Sequence, residues 1–342
     1  MKHDSKLSIS DEDINTAVIR HINLSGDMYS RLVFGEENHR EKYLFQKHLY
    51  RESRPIVNWA EETGLKEVNY IEPRFRRLNK NQTYIYIVSL WGDLDVRKTI
   101  VRRLYKMKKK HNKILIVGYW SDPGFDLKAY KGYEFDLLIT SQKPHLRKWK
   151  KLKFLHVPVA SLGLIGKQFK EKYDCFSIGA YSELRLNKII NSEIQFRKKG
   201  INSYYCVAGM QANVKQQKQI DKIKKYREFP NRDFMSPDET LRMCASSRVL
   251  LNISRLQKSY ETNPSYYAVM FNKKLLIDSD EIKKSSYYNP KYMRVVDFTE
   301  PNWLTPDLAK WIKTPEIIDY HYKGEWEPEV FYRGVRELLK EK

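Results

Sequence analysis

Cysteine is scarce in this chain of 342 residues: Cys175, Cys206 and Cys244 are its only three, and none stands in a CxxC or Cys/His spacing. Neither a zinc site nor a disulfide framework is indicated, and the three read as reduced, mostly buried thiols. Long apolar runs are missing too. Nothing approaches the roughly 20 residues that span a bilayer, and the opening MKHDSKLSISDEDIN is polar and acidic where a secretory leader needs an apolar stretch. The expected compartment is the cytoplasm. Two nucleotide signatures are also absent: no GxGxxG follows an apolar run, and no GxxxxGK[ST] occurs. A nicotinamide dinucleotide enzyme and a P-loop ATPase are thereby disfavoured.

Acidic residues are in deficit. Against 63 Lys and Arg stand 42 Asp and Glu, a formal net charge of +21. Such an excess attracts anionic partners of any kind without choosing among them. Residues 97–113, RKTIVRRLYKMKKKHNK, hold nine Lys or Arg and no acid, and 143–153, KPHLRKWKKLK, hold six and no acid. Within the first stretch Ile100, Leu104 and Met107 recur at helical spacing beside Val101 and Tyr105, so it predicts an amphipathic helix with a cationic back. That back fits either a solvated face or contact with an anionic membrane surface or phosphorylated acceptor. The 24 Tyr and 7 Trp, taken with the charge, leave a single-strand nucleic-acid binder as the rival class, but no recognised RNA or DNA motif is present.

What is there in abundance is a repeat of short apolar runs and helical stretches. TYIYIVSL (83–90), KILIVGYW (113–120), FDLLIT (135–140) and FLHVPV (154–159) read as strands in the first half. NTAVIRHINLSGDMY fits an earlier strand and turn, and 39–63 looks helical. VPVASLGLIG (157–166) suits a connection, after which the pattern restarts. DCFSIGA (174–180) and INSYYCVAG (201–209) are strands ending on Gly179 and Gly209, and 182–200 is a helix stopped by glycine. MSPDETLRMCA (235–245) is a helix that Ser236 can cap, SRVLLNIS (247–254) a strand, Tyr266 to Phe271 a short helix, and KKLLID (273–278) and MRVVDF (293–298) strands. FYRGVRELLKEK (331–342) is a final helix. Short, continuously apolar strands alternating with helices predict an α/β protein: two Rossmann-like doubly wound parallel-sheet domains. The expected division is 1–158, 159–325 and a last helix within 326–342.

In such sheets ligands bind beyond the carboxyl ends of the strands. Polar residues cluster there after 180, after 209 and over 255–265.

The succession MSPDETLRMCASSRVLLNISR, polar loop, YYAVMFNKKLLID resembles the donor half of GT-B glycosyltransferases, and within them bacterial enzymes of lipopolysaccharide-core and capsule assembly. DLLITSQKPHLRKWKKLKFLHVPVA is similar to the end of their N-terminal domain. The likeness is clearest over 135–280. It implies two domains facing a cleft, a nucleotide sugar held by the second, a glycan or glycolipid acceptor held by the first, and a last helix crossing back. It also implies transfer without a bound metal or other cofactor, at the cytoplasmic face of the cell membrane, with 97–113 and 143–153 as the anionic-surface contact.

Carried onto this chain, the resemblance makes Gly179, Arg185, Gly209, Arg255, Lys258, Tyr260, Glu261, Asn263, Ser265 and Tyr267 the donor-binding candidates. Arg185 matches a diphosphate-binding cation, a role that suits a guanidinium. Tyr267 occupies the place where relatives carry a ribose-binding Glu. A phenol makes fewer contacts than a carboxylate, so Glu261 is the alternative for that contact, and a non-catalytic sugar-nucleotide binder remains a third class. Asp93, Asp95 and Asp122, each just after a strand, are the candidates for a catalytic base, and each equally fits helix capping. His21 and His156 are weaker candidates.

Overall fold

The computed structural model describes residues 9–22, 78–79, 81–90, 94–111, 113–120, 130, 132–141, 151–159, 161, 163–210, 212–226, 228–231, 235, 237–254 and 262–341. The chain divides into two compact units, Met1–Ala160 with Gly324–Lys342, and Ser161–Lys323. Among the described residues each holds a five-stranded parallel sheet.

The first unit contains α1 (Asp11–Asn15), β1 (Val18–Ile22), β2 (Tyr84–Ser89), α2 (Leu94–Lys108), β3 (Ile114–Trp120), β4 (Leu137–Thr140) and β5 (Leu152–Phe154). Its strands lie in chain order, β1-β2-β3-β4-β5. All six residues of β2 are buried, which a strand covered on both faces requires. Val101 and Leu104 of α2 are wholly buried, as the apolar spacing predicts, but the cationic back is partly spent. Lys108 pairs with Asp136, whose carboxylate also accepts the Ile116 N–H at 2.7 Å, and Lys113 pairs with Asp13 at 2.7 Å. The predicted strand over 154–159 is displaced: β5 ends at Phe154. Beyond it Pro158 has no N–H to offer a ladder, and the Val159 N–H donates to the Trp326 carbonyl instead. The helical reading of 39–63 lies outside the described residues.

The second unit runs β6 (Tyr173–Ala180), α3 (Glu183–Lys198), β7 (Ser203–Ala208), α4 (Val214–Lys224), α5 (Pro237–Ala245), β8 (Ser247–Asn252), α6 (Asn263–Met270), β9 (Lys274–Ile277), β10 (Met293–Val295) and α7 (Pro306–Lys313). The sequence pattern did not show α4 or α7. Their signals are local: Asn213 and Gln216 form a reciprocal capping box before α4, and Thr305 caps α7 ahead of Pro306. Leu186 and Ile189 of α3, Ile220 and Ile223 of α4, and Leu308 and Ile312 of α7 share one core with Cys175, Tyr205, Val249 and Leu276 of the strands. The alternate strand residues Phe176, Leu250 and Leu275 are also buried, so both faces are covered. The order is β10-β9-β8-β6-β7, and the direction of winding therefore reverses between β6 and β8.

The final helix, α8 (Pro328–Lys340), starts one turn earlier than the apolar pattern suggested, because Pro328 is suited to the first turn. It belongs to the first unit, where Phe331 packs edge-on against Tyr119 at 5.0 Å and Leu155 closes on Gly334. Among the described residues no helix is long and apolar enough to cross a membrane.

Candidate functional site at the carboxyl edge of the second sheet

Reversal of strand order leaves a crevice beyond the carboxyl ends of the two flanking strands, because the connections leave in opposite directions. Here those strands are β6 and β8. Arg185, in the first turn of α3, is placed between them: its Nε donates to the Ile253 carbonyl after β8 at 2.8 Å, and Nη1 to the Ala180 carbonyl at the end of β6. The turn is held by Ser182, whose side chain accepts from the Arg185 N–H at 3.2 Å. Gly179 makes room for the guanidinium. A β-carbon at 179 would stand 2.6 Å from Arg185 Nη1 and 2.9 Å from Cζ, closer than real contacts allow. A positive charge is thus fixed at the switch point by two backbone carbonyls and a missing side chain.

Gly209 does different work. It lies at φ +66° with nothing near its absent β-carbon, so what it supplies is a left-handed turn after β7. Just beyond, Asn213 Nδ2 donates to Glu183 at 2.8 Å and Gln216 Nε2 to Asn187 at 2.8 Å, tying the first turns of α3 and α4 together. The sequence pattern set Asn213 in the polar cluster after Gly209 but passed over Gln216. The N-x-x-Q spacing before α4 was the available signal.

On the other side, β8 and β9 end in a buried polar cluster. Asp278 follows β9 and accepts the Ser254 N–H on both carboxylate oxygens, at 3.1 and 3.2 Å, as well as Lys188 Nζ at 2.7 Å. Ser254 and Ser279 flank that carboxylate. Their hydroxyls are buried and have no hydrogen-bond partner among the described residues. Buried hydroxyls are normally satisfied, so two together at a strand edge leave hydrogen-bonding capacity that a water or another polar group can fill. Asp297, after β10, is held below the usual carboxylate range, chiefly by hydrogen bonds from the Thr299 hydroxyl and N–H.

The next described element after β8 is α6. Asn252 Nδ2 donates to Ser265 Oγ at 2.8 Å in a buried contact, which fixes the first turn of this helix to the strand end. Thr262 is the N-cap yet supplies no side-chain capping bond, and the first turn carries no acid. The helix therefore points the positive end of its dipole at this edge, with no side-chain cap or first-turn acid among the described residues.

Of the predicted donor-binding residues, Gly179, Arg185, Gly209, Asn263 and Ser265 all lie at this edge. Their roles differ. Ser265 is buried and engaged with Asn252, and Asn263 is exposed at the start of α6. Tyr267 is fully buried, its ring stacked on Phe271 at 5.9 Å, because α6 turns this position toward the sheet. Arg255, Lys258, Tyr260 and Glu261 lie outside the described residues, as do Asp93 and Asp122. Asp95 is the second residue of α2, where only its backbone is described. His156 is exposed with its ring edge-on to Phe154, and His21 lies in β1. All three cysteines are free and buried, and burial pushes the Cys175 and Cys244 thiols up. Among the described residues no group of three or more His, Cys, Asp or Glu converges as a metal site.

Comparison with known proteins places this geometry in a fold. The chain aligns with a Listeria monocytogenes structure named for UDP-N-acetylglucosamine 2-epimerase over 96% of its own length and 97% of the other, with a TM-score of 0.51 and 9% identity. The fold class is GT-B. A glycosyltransferase from Rickettsia africae aligns at TM-score 0.46 and 11% identity, covering 76% of this chain and 90% of that one. The catalytic domain of Arabidopsis thaliana starch synthase IV, solved with ADP and acarbose, aligns at 0.44 and 9%, covering 76% and 69%. No family model and no curated protein matches the sequence.

Proposed function

We propose that the carboxyl edge of the second sheet holds the diphosphate and sugar of a nucleotide sugar, and that the chain is a glycosyltransferase. One observation carries the reading: Arg185 sits fixed between the ends of β6 and β8, at the reversal of strand order. Its charge faces the diphosphate, together with the uncapped N-terminus of α6. Ser254 and Ser279 supply hydroxyls to the same ligand. A fixed cation and a helix end stabilise a departing diphosphate by preorganised charge, so a divalent ion is not needed for that step. In this reading Asp93, Asp95 or Asp122 of the first unit serves the acceptor hydroxyl as base. Arg255, Lys258, Tyr260 and Glu261 complete the donor site. The acceptor is a lipopolysaccharide- or capsule-type glycan at the cytoplasmic face of the membrane, met through the basic stretches 97–113 and 143–153.

A second reading keeps the same ligand and changes the reaction. The Listeria structure that shares the fold is named for an epimerase of a UDP sugar, so isomerisation of a bound sugar nucleotide is the alternative chemistry. The test is calorimetric titration with UDP, ADP, GDP and their sugar conjugates. Binding of at least one, lost in Arg185→Ala, is expected; a flat response to all of them overturns both readings. Release of nucleoside diphosphate from the bound conjugate then marks transfer, and conversion to a second sugar nucleotide without release marks epimerisation.

A further inference from the structure

The second unit carries another built surface, at the opposite edge of its sheet. Crossover helices run antiparallel to the strands they connect, so the last turns of α3 and α4 lie toward the amino ends of the strands, away from Arg185. Between them is an open depression of about 520 Å³ lined by Ile194, Arg197, Lys198, Lys222, Ile223 and Tyr226. Its ring is presented outward. Tyr226 is 72% exposed, and Arg197 packs over one face at 4.1 Å from the ring centre. Ile194 is also exposed.

The charge here exceeds what helix ends explain. Arg197, Lys198 and Lys199 close α3, and Lys222, Lys224 and Lys225 close α4, all exposed. Two helix C-termini present roughly half a negative charge each. Among the described residues, the carboxylates beside these lysines in the sequence are Asp221, which accepts a hydrogen bond from Gln217 at 2.7 Å, and Glu228. Six cations against about one unit of helix charge and two carboxylates leave a net positive surface. An exposed aromatic ring and an aliphatic floor, ringed by long basic side chains, is the chemistry that settles at a lipid headgroup boundary: cations meet lipid phosphates while Tyr and the lysine stems sit among the carbonyls. A nucleic-acid strand would call for successive stacking rings, and among the described residues Tyr226 is the one aromatic residue lining this depression.

We propose that the ends of α3 and α4, with Tyr226 at their centre, dock the second unit on an anionic lipid surface. Docking through this edge leaves the carboxyl edge of the same sheet open to ligand. The proposal stands independently of the reading of Arg185.

The experiment is co-sedimentation of the full chain with phosphatidylcholine vesicles, with and without phosphatidylglycerol. Binding to the anionic vesicles alone is expected. Lys198→Glu with Lys222→Glu is expected to lower partitioning about tenfold or more. The control reversal, Lys167→Glu with Lys170→Glu on an exposed loop of the same unit, changes net charge equally and keeps binding. Equal binding to neutral vesicles, equal loss in both variants, or full retention in the first would each overturn the proposal. Should the reversal variant fail to fold, Tyr226→Cys bearing a polarity-sensitive dye gives a local readout, since the native thiols are buried. Its emission is expected to shift blue with anionic vesicles. No shift, or the same shift with a single-stranded oligonucleotide and none with vesicles, refutes lipid docking.

Discussion

Lys188 Nζ lies 2.7 Å from Asp278 Oδ2, and the two side chains are only 1% and 4% exposed. Such a pair is weak as a source of net stability but costly to halve, because the survivor is a buried charge without a counterion. Asp278→Asn is expected to lower unfolding free energy by about 3–5 kcal/mol. Lys188→Met together with Asp278→Asn, whose amide oxygen still accepts the Ser254 N–H, should recover most of it. Urea unfolding checks both, and a single variant within about 1 kcal/mol of the parent contradicts the pairing.

Gly179→Ala forces the Arg185 guanidinium off the ends of β6 and β8, since the new methyl and Nη1 would compete for 2.6 Å. If the cation serves a diphosphate, this substitution weakens nucleoside diphosphate binding about tenfold or more, roughly 1.4 kcal/mol, without touching the ligand. Arg185→Ala does the same directly. Calorimetry on the two variants shows parallel losses; an unchanged affinity in both removes Arg185 from the site.

Ser265→Ala takes away the acceptor of the buried Asn252 amide. An unsatisfied buried donor costs about 1–3 kcal/mol. The loss appears in chemical denaturation, and Ser265→Thr, which keeps an oxygen, loses less.

Tyr267 distinguishes packing from recognition. Tyr267→Ala should cost about 3–5 kcal/mol, as truncation of a buried aromatic does. Tyr267→Phe keeps the stack on Phe271 and should hold nucleotide affinity within about twofold. A large affinity loss in a folded Phe variant would support the ribose contact.

Asp13 offers a pH readout in the first unit. Hydrogen bonds from Lys113 and Ser10 lower its carboxyl from 3.8 to about 2. The folded state therefore binds this proton later than the unfolded chain, so its contribution is full above 3.8 and is lost as pH falls toward 2. Asp13→Asn should show a lower thermal midpoint than the parent near neutrality, the gap closing on acidification. A gap that stays constant across that window assigns the effect to something else.

Most of the sheets was legible because parallel strands buried on both faces must be continuously apolar: YIYIVS, ILIVGYW, SYYCVA and SRVLLN all lie where the runs placed them. The misses have local causes. α4 was overlooked because VKQQKQIDKIK is mostly polar, so its cap announces it, whereas α7 was overlooked because PDLAKWIK is short, although Leu308, Ala309, Trp311 and Ile312 fall at helical spacing. β5 was placed late because FLHVPV is apolar without being in a ladder.

Composition and pattern determined the class: two α/β series, a cationic surface, and helices starting and stopping where capping residues and glycines stand. Strand order was left to the tertiary structure, since pairing depends on contacts between residues far apart in the chain. That order put Arg185 between β6 and β8 and made Gly179 a matter of space. Packing also decided which face of each helix is covered. It turned Tyr267 into the core, spent Lys108 and Lys113 on carboxylates, and left Tyr226 outside among lysines, distinctions that one letter per residue does not encode.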